Sequence, residues 1–343
     1  MIDPITLARE NIQKLTAYTS ARDEFSGDAK VFLDANENPF GELNRYPDPY
    51  QNELKQLLAE ISNVKPSQLF VGNGSDEIID LVFRIFCNPG KDKALTFSPT
   101  YGMYQVSAAI NDVELLTCPL DDQFDIDLDN AFKMLNDPSI KLILICSPNN
   151  PTGNRLNKDR IIELLENFNG IVLVDEAYGE FDEGQNLDEL ISKYGNLIIS
   201  KTMSKARGLA GARVGYALTN GRMLELLNKV KPPYNVSTLN QNAAIKAIRN
   251  KQEFEKRKAI ILAERERMIN ELTSLAKVIN IFPSNANFLL VTFEDALATY
   301  VYLLSKGIVV RNRDKLVKNC LRLTIGTETE NNQLIQALKS MKS

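Results

Sequence analysis

"IVLVDEAYGEF", residues 171–181, begins with four apolar residues in a row and places Asp175 directly after them. A strand with one wet face alternates apolar and polar residues. A run without alternation belongs to a strand covered on both faces, the normal state of a parallel sheet between helices. Asp175 then sits at the carboxyl end of such a strand, where open α/β sheets hold ligands. It faces a ligand there or caps the next element.

Similar runs occur at 69–71, 93–97, 141–146, 197–199 and 214–218, and helix-like segments at 75–86, 158–168 and 222–229 lie among them. This alternation predicts an α/β fold with a mostly parallel sheet. Residues 237–276 lack Pro and Gly and are rich in helix formers, so they read as one or two long helices leading away from the sheet. Strand candidates at 287–292, 307–311 and 320–324, interleaved with helices, make a small α+β domain. The expected division is an N-terminal arm, 1–35, packing with the small domain; a large domain, 36–245; and a small C-terminal domain, 246–343, that includes the long connecting helix.

Composition narrows the function. A length of 343 residues with 44% hydrophobic and 24% charged residues suits a globular protein with a sizeable core. A net charge of −4 argues against a nucleic-acid or anionic-membrane surface. No run approaches eighteen apolar residues, and no leader is visible at the start; the expected compartment is the cytoplasm, with no membrane partner. The four cysteines match no zinc or disulfide spacing, and there is no histidine. Histidine-based triads, Cys-His dyads and His-ligated metals are therefore excluded within the chain, and no metal is expected. Acid–base chemistry falls to Lys, Asp, Glu, Tyr or a cofactor.

Three further strand ends carry chemistry. "FVGNGSDE", 70–77, is a strand, a glycine turn and a helix opened by Ser75, with Ser75 or Asp76 as its N-cap. Gly72 and Gly74 let backbone approach an anion at the helix N-terminus. "SPNNPTGN", 147–154, forces a fixed turn, whose asparagine donates a directed hydrogen bond or only shapes the chain. "TMSKARGLAGAR", 202–213, brings Lys205 out of a buried strand into small residues, eight positions before Arg213. Pyridoxal phosphate asks for this set: a phosphate cradle, a carboxylate for the pyridine nitrogen, donors to the ring oxygen and a lysine for the aldehyde.

The order Asn-Pro-Thr-Gly, Asp-x-Ala-Tyr, Ser-Lys and then Arg resembles the fold-type I, pyridoxal-phosphate-dependent aminotransferases of class II. "LDANENPFG" (33–41), "NRYPDP" (44–49) and "CLRLTIG" (320–326) are similar to the histidinol-phosphate subgroup. The resemblance implies Lys205, Asp175 and Tyr178 as catalytic residues, Lys205 being the covalent anchor and later the general base. It implies Gly74, Ser75, Asp76, Thr202, Ser204 and Arg213 around the cofactor phosphate, and Asp175 at the ring nitrogen. Asn150 and Tyr178 would hold the ring oxygen, and Tyr101 and Ala177 would flank the ring. Tyr46 would reach the neighbouring subunit's cofactor, which implies a homodimer. Tyr18, Asn150, Arg311 and Arg322 would bind substrate. The implied reaction moves the amino group of L-histidinol phosphate to 2-oxoglutarate, giving L-glutamate. An aromatic aminotransferase and a threonine-phosphate decarboxylase-like lyase share the fold and remain open on sequence alone.

Overall fold

The computed structural model describes residues 2–19, 30–182, 184 and 187–341. Seven strands form the larger sheet: β1 Leu69–Gly72, β2 Lys93–Ser98, β3 Glu114–Pro119, β4 Ile140–Cys146, β5 Ile171–Asp175, β6 Leu197–Thr202 and β7 Gly215–Leu218. Their order is β1-β7-β6-β5-β4-β2-β3. The pairs β2–β3, β2–β4, β4–β5 and β5–β6 are parallel, while β7 is antiparallel to both β6 and β1. The unalternated apolar runs have the expected cause. In β5, Val172 and Val174 enter one core with Ile143, Ile145 and Leu197. Ile171 and Leu173 enter the other, with Leu142, Leu144 and helix Ser75–Phe86. Burying each such side chain stabilises the fold by about 1.5–3 kcal/mol.

Four antiparallel strands form a second sheet in the order β10-β11-β9-β8: β8 Val278–Ile281, β9 Phe288–Phe293, β10 Arg311–Asn312 and β11 Cys320–Thr324. It has its own core, in which Leu289, Leu321 and Leu323 meet Met268, Leu303 and Leu334 from the covering helices. The stretch 237–276 forms two helices, Thr238–Arg249 and Lys251–Thr273, broken at Asn250.

Two expectations need correction. The candidate strand at 307–311 shrinks to Arg311–Asn312, because Gly307 at φ 74° begins a turn out of helix Ala296–Ser305 and leaves Val309 81% exposed. The start of the arm does not pack on the smaller sheet. Ala8 and Ile12 join the core beneath helix Ser75–Phe86, the Arg9 amide donates to the Ile85 carbonyl at 2.8 Å, and Lys229 Nζ donates to the Gln13 carbonyl at 2.9 Å. Apolar contact with the larger sheet's helices fixes it there.

A buried ionic cluster ties the ends of β5 and β6 together. Lys201 Nζ lies 3.1 Å from Glu176 Oε2 and 2.8 Å from Asp188 Oδ1, with all three side chains largely buried. The two carboxylates outweigh the cost of burial and raise the lysine's pKa. Lys201→Met leaves two buried carboxylates without a cation and should destabilise the protein by about 3 kcal/mol or more in urea unfolding at pH 7.

Candidate active site

The register of β4, β5 and β6 sets Cys146, Asp175 and Ser200 side by side at one end of the sheet. Asp175 is 2% exposed. The hydroxyl of Tyr104, a fully buried residue of helix Met103–Ile110, donates to Asp175 Oδ2 at 3.0 Å, and the Ala177 amide donates to Oδ1 at 3.1 Å. Burial dominates and pushes the carboxyl from 3.8 to about 6; the two donors act against it. The carboxylate is held in place and lacks full compensation, so a further donor or cation is favoured beside it.

Lys205 leaves the end of β6 and rounds into the same space, its Nζ 5.8 Å from the Tyr178 ring centre. Its side chain is exposed and lines the cavity. Its pKa falls below 10.5, first through burial and then through the Arg322 charge. Asn150 bridges two residues: its Nδ2 donates to the Tyr178 hydroxyl at 3.3 Å, and its Oδ1 accepts from Arg322 Nη1. The turn that carries Asn150 is fixed by Asn149, whose Nδ2 donates to the Pro99 carbonyl at 2.9 Å and to Thr152 Oγ1 at 2.8 Å.

The anion cradle lies at the N-terminus of helix Ser75–Phe86. Its N-cap is Gly74 at φ 80°, not Ser75 or Asp76, and no side chain caps the first turn. Those amides therefore stay available to a ligand. A Cβ on Gly74 would come within 2.7 Å of Arg213 Nη2, and one on Gly215 would come within 2.3 Å of the Ser75 nitrogen. Gly215 is required by its close approach to backbone, and Gly74 is favoured by its φ of 80°. Arg213 Nη2 pairs with Asp76 Oδ2 at 3.0 Å, so the carboxylate of Asp76 orients the guanidinium. Arg213 itself sits at φ 49°, a strained conformation for a residue with a Cβ. Thr202 Oγ1 donates to Ser204 Oγ at 3.0 Å across the cradle.

Ser75, Asp76, Tyr101, Cys146, Asn150, Asp175, Ala177, Tyr178, Thr202, Ser204, Lys205 and Arg213 line one cavity, ≈ 470 Å³ with the open solvent at its mouth included. A profile described as aminotransferase class I and II matches residues 15–338. The chain belongs to the class I and II aminotransferases. Proteins named histidinol-phosphate aminotransferase in Bacteroides fragilis and Flavobacterium psychrophilum are 49% and 46% identical to it, covering 97% and 98% of this chain and the same shares of their own. A solved histidinol-phosphate aminotransferase from Sinorhizobium meliloti, in complex with pyridoxal-5'-phosphate, shares the fold with a TM-score of 0.80 at 24% identity, over 90% of each chain.

In this aminotransferase, most residues expected around the cofactor meet in the cavity; Gly74 borders it through Arg213. Arg322 reaches it through Asn150. Arg311 lies opposite Arg322 in the β10–β11 register, on an exposed edge. Tyr46 and Tyr18 are elsewhere. Tyr46 stacks on Tyr234 with ring centres 4.4 Å apart and lines a separate groove formed by 35–38, 43–47 and 237–239. Tyr18, 70% exposed, follows helix Glu10–Lys14 and does not line the cavity, because no packing of the described chain carries it there. The residues that the sequence did not signal are Tyr104, Cys146 and Gly215. Tyr104 stands three positions after Tyr101 in "SPTYGMY", and only the turn into a helix brings its hydroxyl beneath Asp175.

Raising the Asp175 pKa from 3.8 to about 6 corresponds to about 3 kcal/mol against the ionised form. The folded carboxyl keeps its proton through that window, so this group's contribution to stability falls as pH rises from about 4 to about 6. Asp175→Asn should therefore make the cofactor-free protein melt at a higher temperature than wild type at pH 7–8. The same variant should lower turnover by about 100-fold or more. Differential scanning calorimetry and steady-state rates check the two halves.

Proposed function

We propose that this chain transfers the amino group of L-histidinol phosphate to 2-oxoglutarate, with pyridoxal phosphate held in the Lys205 cavity. The observation that carries the reading is the convergence of Lys205, Asp175 and the uncapped Gly74–Ser75 cradle with Arg213 on one cavity. The near-full-length relatives named for that reaction supply the substrate.

The residues fit the cofactor. An uncapped helix end flanked by Arg213, Ser204 and Thr202 matches a phosphate, and a buried carboxylate short of compensation matches a protonated ring nitrogen. When bound, pyridoxal phosphate supplies an aldehyde conjugated to an electron-accepting pyridinium ring. Asp175 accepts the ring N–H, and the Tyr104 hydroxyl holds the carboxylate in position. Asn150 and Tyr178, hydrogen-bonded to each other, would receive the ring oxygen. Tyr101 and Ala177 wall the ring space. Lys205 would serve as covalent anchor and would move the proton at the substrate Cα; its lowered pKa favours the neutral amine needed for that. Arg322 grips the anionic end of each substrate in turn, since its planar fork suits both phosphate and carboxylate.

Two copies make the working unit in this reading. Leu43, 63% exposed, lines one groove with the half-exposed Tyr46, and Leu33 and Phe40 on the same stretch of chain are 89% and 81% exposed, apolar surface suited to a second subunit. Tyr46 then serves the partner's cofactor phosphate. The division into an arm at 1–35, a large domain at 36–245 and a small domain at 246–343 is supported by two sheets with separate cores. The cytoplasm is the proposed compartment; among the described residues no helix is long and apolar enough to cross a membrane.

Turnover of L-histidinol phosphate, L-phenylalanine and L-threonine phosphate, each with 2-oxoglutarate, tests the assignment. The expected kcat/KM for L-histidinol phosphate exceeds that for L-phenylalanine by about tenfold or more, the scale of one added charged contact. Release of carbon dioxide from L-threonine phosphate would point to a lyase instead. Lys205→Ala should lose about 10⁴-fold or more in turnover while staying folded by circular dichroism. Borohydride reduction of the loaded wild-type protein should fix the cofactor on the peptide that contains Lys205. In wild type, the limb of kcat that rises with pH should have its inflection below 10.5, because activity appears as the amine loses its proton.

A further inference from the structure

The side chain of Lys205 makes no hydrogen bond or ion pair among the described residues, so the loop beneath it decides where its amine stands. That loop, 206–212, is built of Ala and Gly apart from Arg207 and Leu209. A Cβ on Gly208 or Gly211 would meet nothing within 4 Å, so surrounding chain does not confine the loop there. Two backbone bonds close its ends: the Met203 amide donates to the Val214 carbonyl at 3.0 Å, and the Leu209 amide to the Met203 carbonyl at 2.9 Å. A segment with so few contacts between its ends moves readily unless a side chain holds it.

Arg207 holds it. Its Nε and Nη2 both donate to Glu180 Oε1 at 2.7 Å, and the two side chains are only 9% and 24% exposed, so water competes little for the pair. The face of the same guanidinium lies on the Phe254 ring, with Cζ 3.7 Å from the ring centre. A planar guanidinium can donate along its edge and stack on its face at once, which an ammonium cannot do. Glu180 belongs to the turn that follows Tyr178. Phe254 stands in the first turn of helix Lys251–Thr273, whose Met268 and Leu272 are packed in the smaller sheet's core. One side chain thus joins the Lys205 loop, the Tyr178 turn and the helix that carries the smaller sheet. Ala206, between Lys205 and Arg207, is buried against Tyr178 and against Ala286 and Phe288 of the smaller sheet's side.

We infer that Arg207 is a positioning residue for Lys205: clamped between Glu180 and Phe254, it fixes the lysine's loop to the helix of the smaller sheet and so holds the amine at its place in the cavity. The inference rests on Lys205 as the reacting amine of the proposed function, whichever amino donor is used. Arg207 touches no substrate; it acts through the backbone two residues away. The amine it places faces the charges of Arg322, Asp76, Asp175 and Arg213, and burial is the first cause that keeps its pKa below 10.5. A loop released from the clamp lets the amine turn toward water. Both its distance from the reacting atoms and its pKa then change.

The test is Arg207→Met in the cofactor-loaded enzyme, with Arg207→Lys as a conservative companion. In Arg207→Met, kcat should fall about 30-fold, while KM for the amino donor changes by less than about twofold. The inflection of the rising limb of kcat should move up toward 10.5, and Arg207→Lys should recover part of both effects. Trinitrobenzenesulfonate labels neutral amines, which gives a second readout on the cofactor-free protein. The pH midpoint for labelling of the Lys205 peptide, followed by mass spectrometry, should be higher in Arg207→Met than in wild type by about 0.5 or more. An unmoved labelling midpoint overturns the inference whether or not kcat falls, as does an unaltered kcat. Should Arg207→Met fail to fold by circular dichroism, Phe254→Leu, which removes the stack and leaves the ion pair, is measured in the same way and the same two results decide. If borohydride reduction of the loaded wild type labels a residue other than Lys205, the proposed role of that lysine falls; the labelling midpoint then still decides whether Arg207 sets its position.

Discussion

An ionisable carboxylate buried at the end of a parallel strand is the constraint around which the site is built. Asp175 is carried into the protein by β5, whose apolar side chains are needed on both faces of the sheet. Once there, it can remain charged only if its neighbours compensate for lost water. Tyr104 and the Ala177 amide do part of this, and the deficit remaining is what makes the position receptive to a ligand N–H. Stability of the sheet and chemistry at its edge thus oppose each other at a single residue, as is common where a site needs a group in an unfavourable place.

The two sheets divide the work by charge. The larger one offers the uncapped helix end, Arg213 and Lys205, each near an acid: Asp76 beside Arg213, and Asp175 and Asp76 acting on Lys205. The smaller one offers Arg311, Arg313 and Arg322 with no acid paired to them among the described residues. A net charge of −4 over the chain conceals this concentration. The local arrangement is a balanced cradle at the larger sheet and an edge of arginines without carboxylate partners at the smaller one.

The parts of this arrangement legible in the sequence are those written in short-range pattern. β4, β5 and β6 show as continuous apolar runs because both their faces are covered. The glycine turn before Ser75 and the lysine set among small residues show because steric room requires those residue types. β3 does not show: at the sheet edge its side chains are mostly exposed or half-buried, so Glu114, Thr117 and Pro119 interrupt the apolar signal. β10 is two residues long, too short for any periodicity. The support of Asp175 by Tyr104 spans 71 positions and depends on where a helix settles against the sheet. The packing of Ala8 and Ile12 on the larger sheet's helices is likewise a matter of tertiary shape; local sequence offers the apolar residues but not their destination.

Arg322 joins the two sheets, and with them binding and chemistry. It stands on β11 of the smaller sheet, yet it bonds Asn150 after β4 of the larger one, and its charge helps lower the pKa of Lys205. An anion that pairs with Arg322 offsets that charge as seen from the amine. The amine then becomes more basic than in the empty site, although still less so than in water because burial persists. Binding of the correct anionic end therefore does more than position the substrate. With Lys205 as the proposed base, it would adjust that base's strength, so a substrate without an anion at that edge would meet both weaker binding and a weaker base. In the proposed function, the same geometry that separates the two sheets into distinct cores would thus couple recognition to proton transfer through one guanidinium.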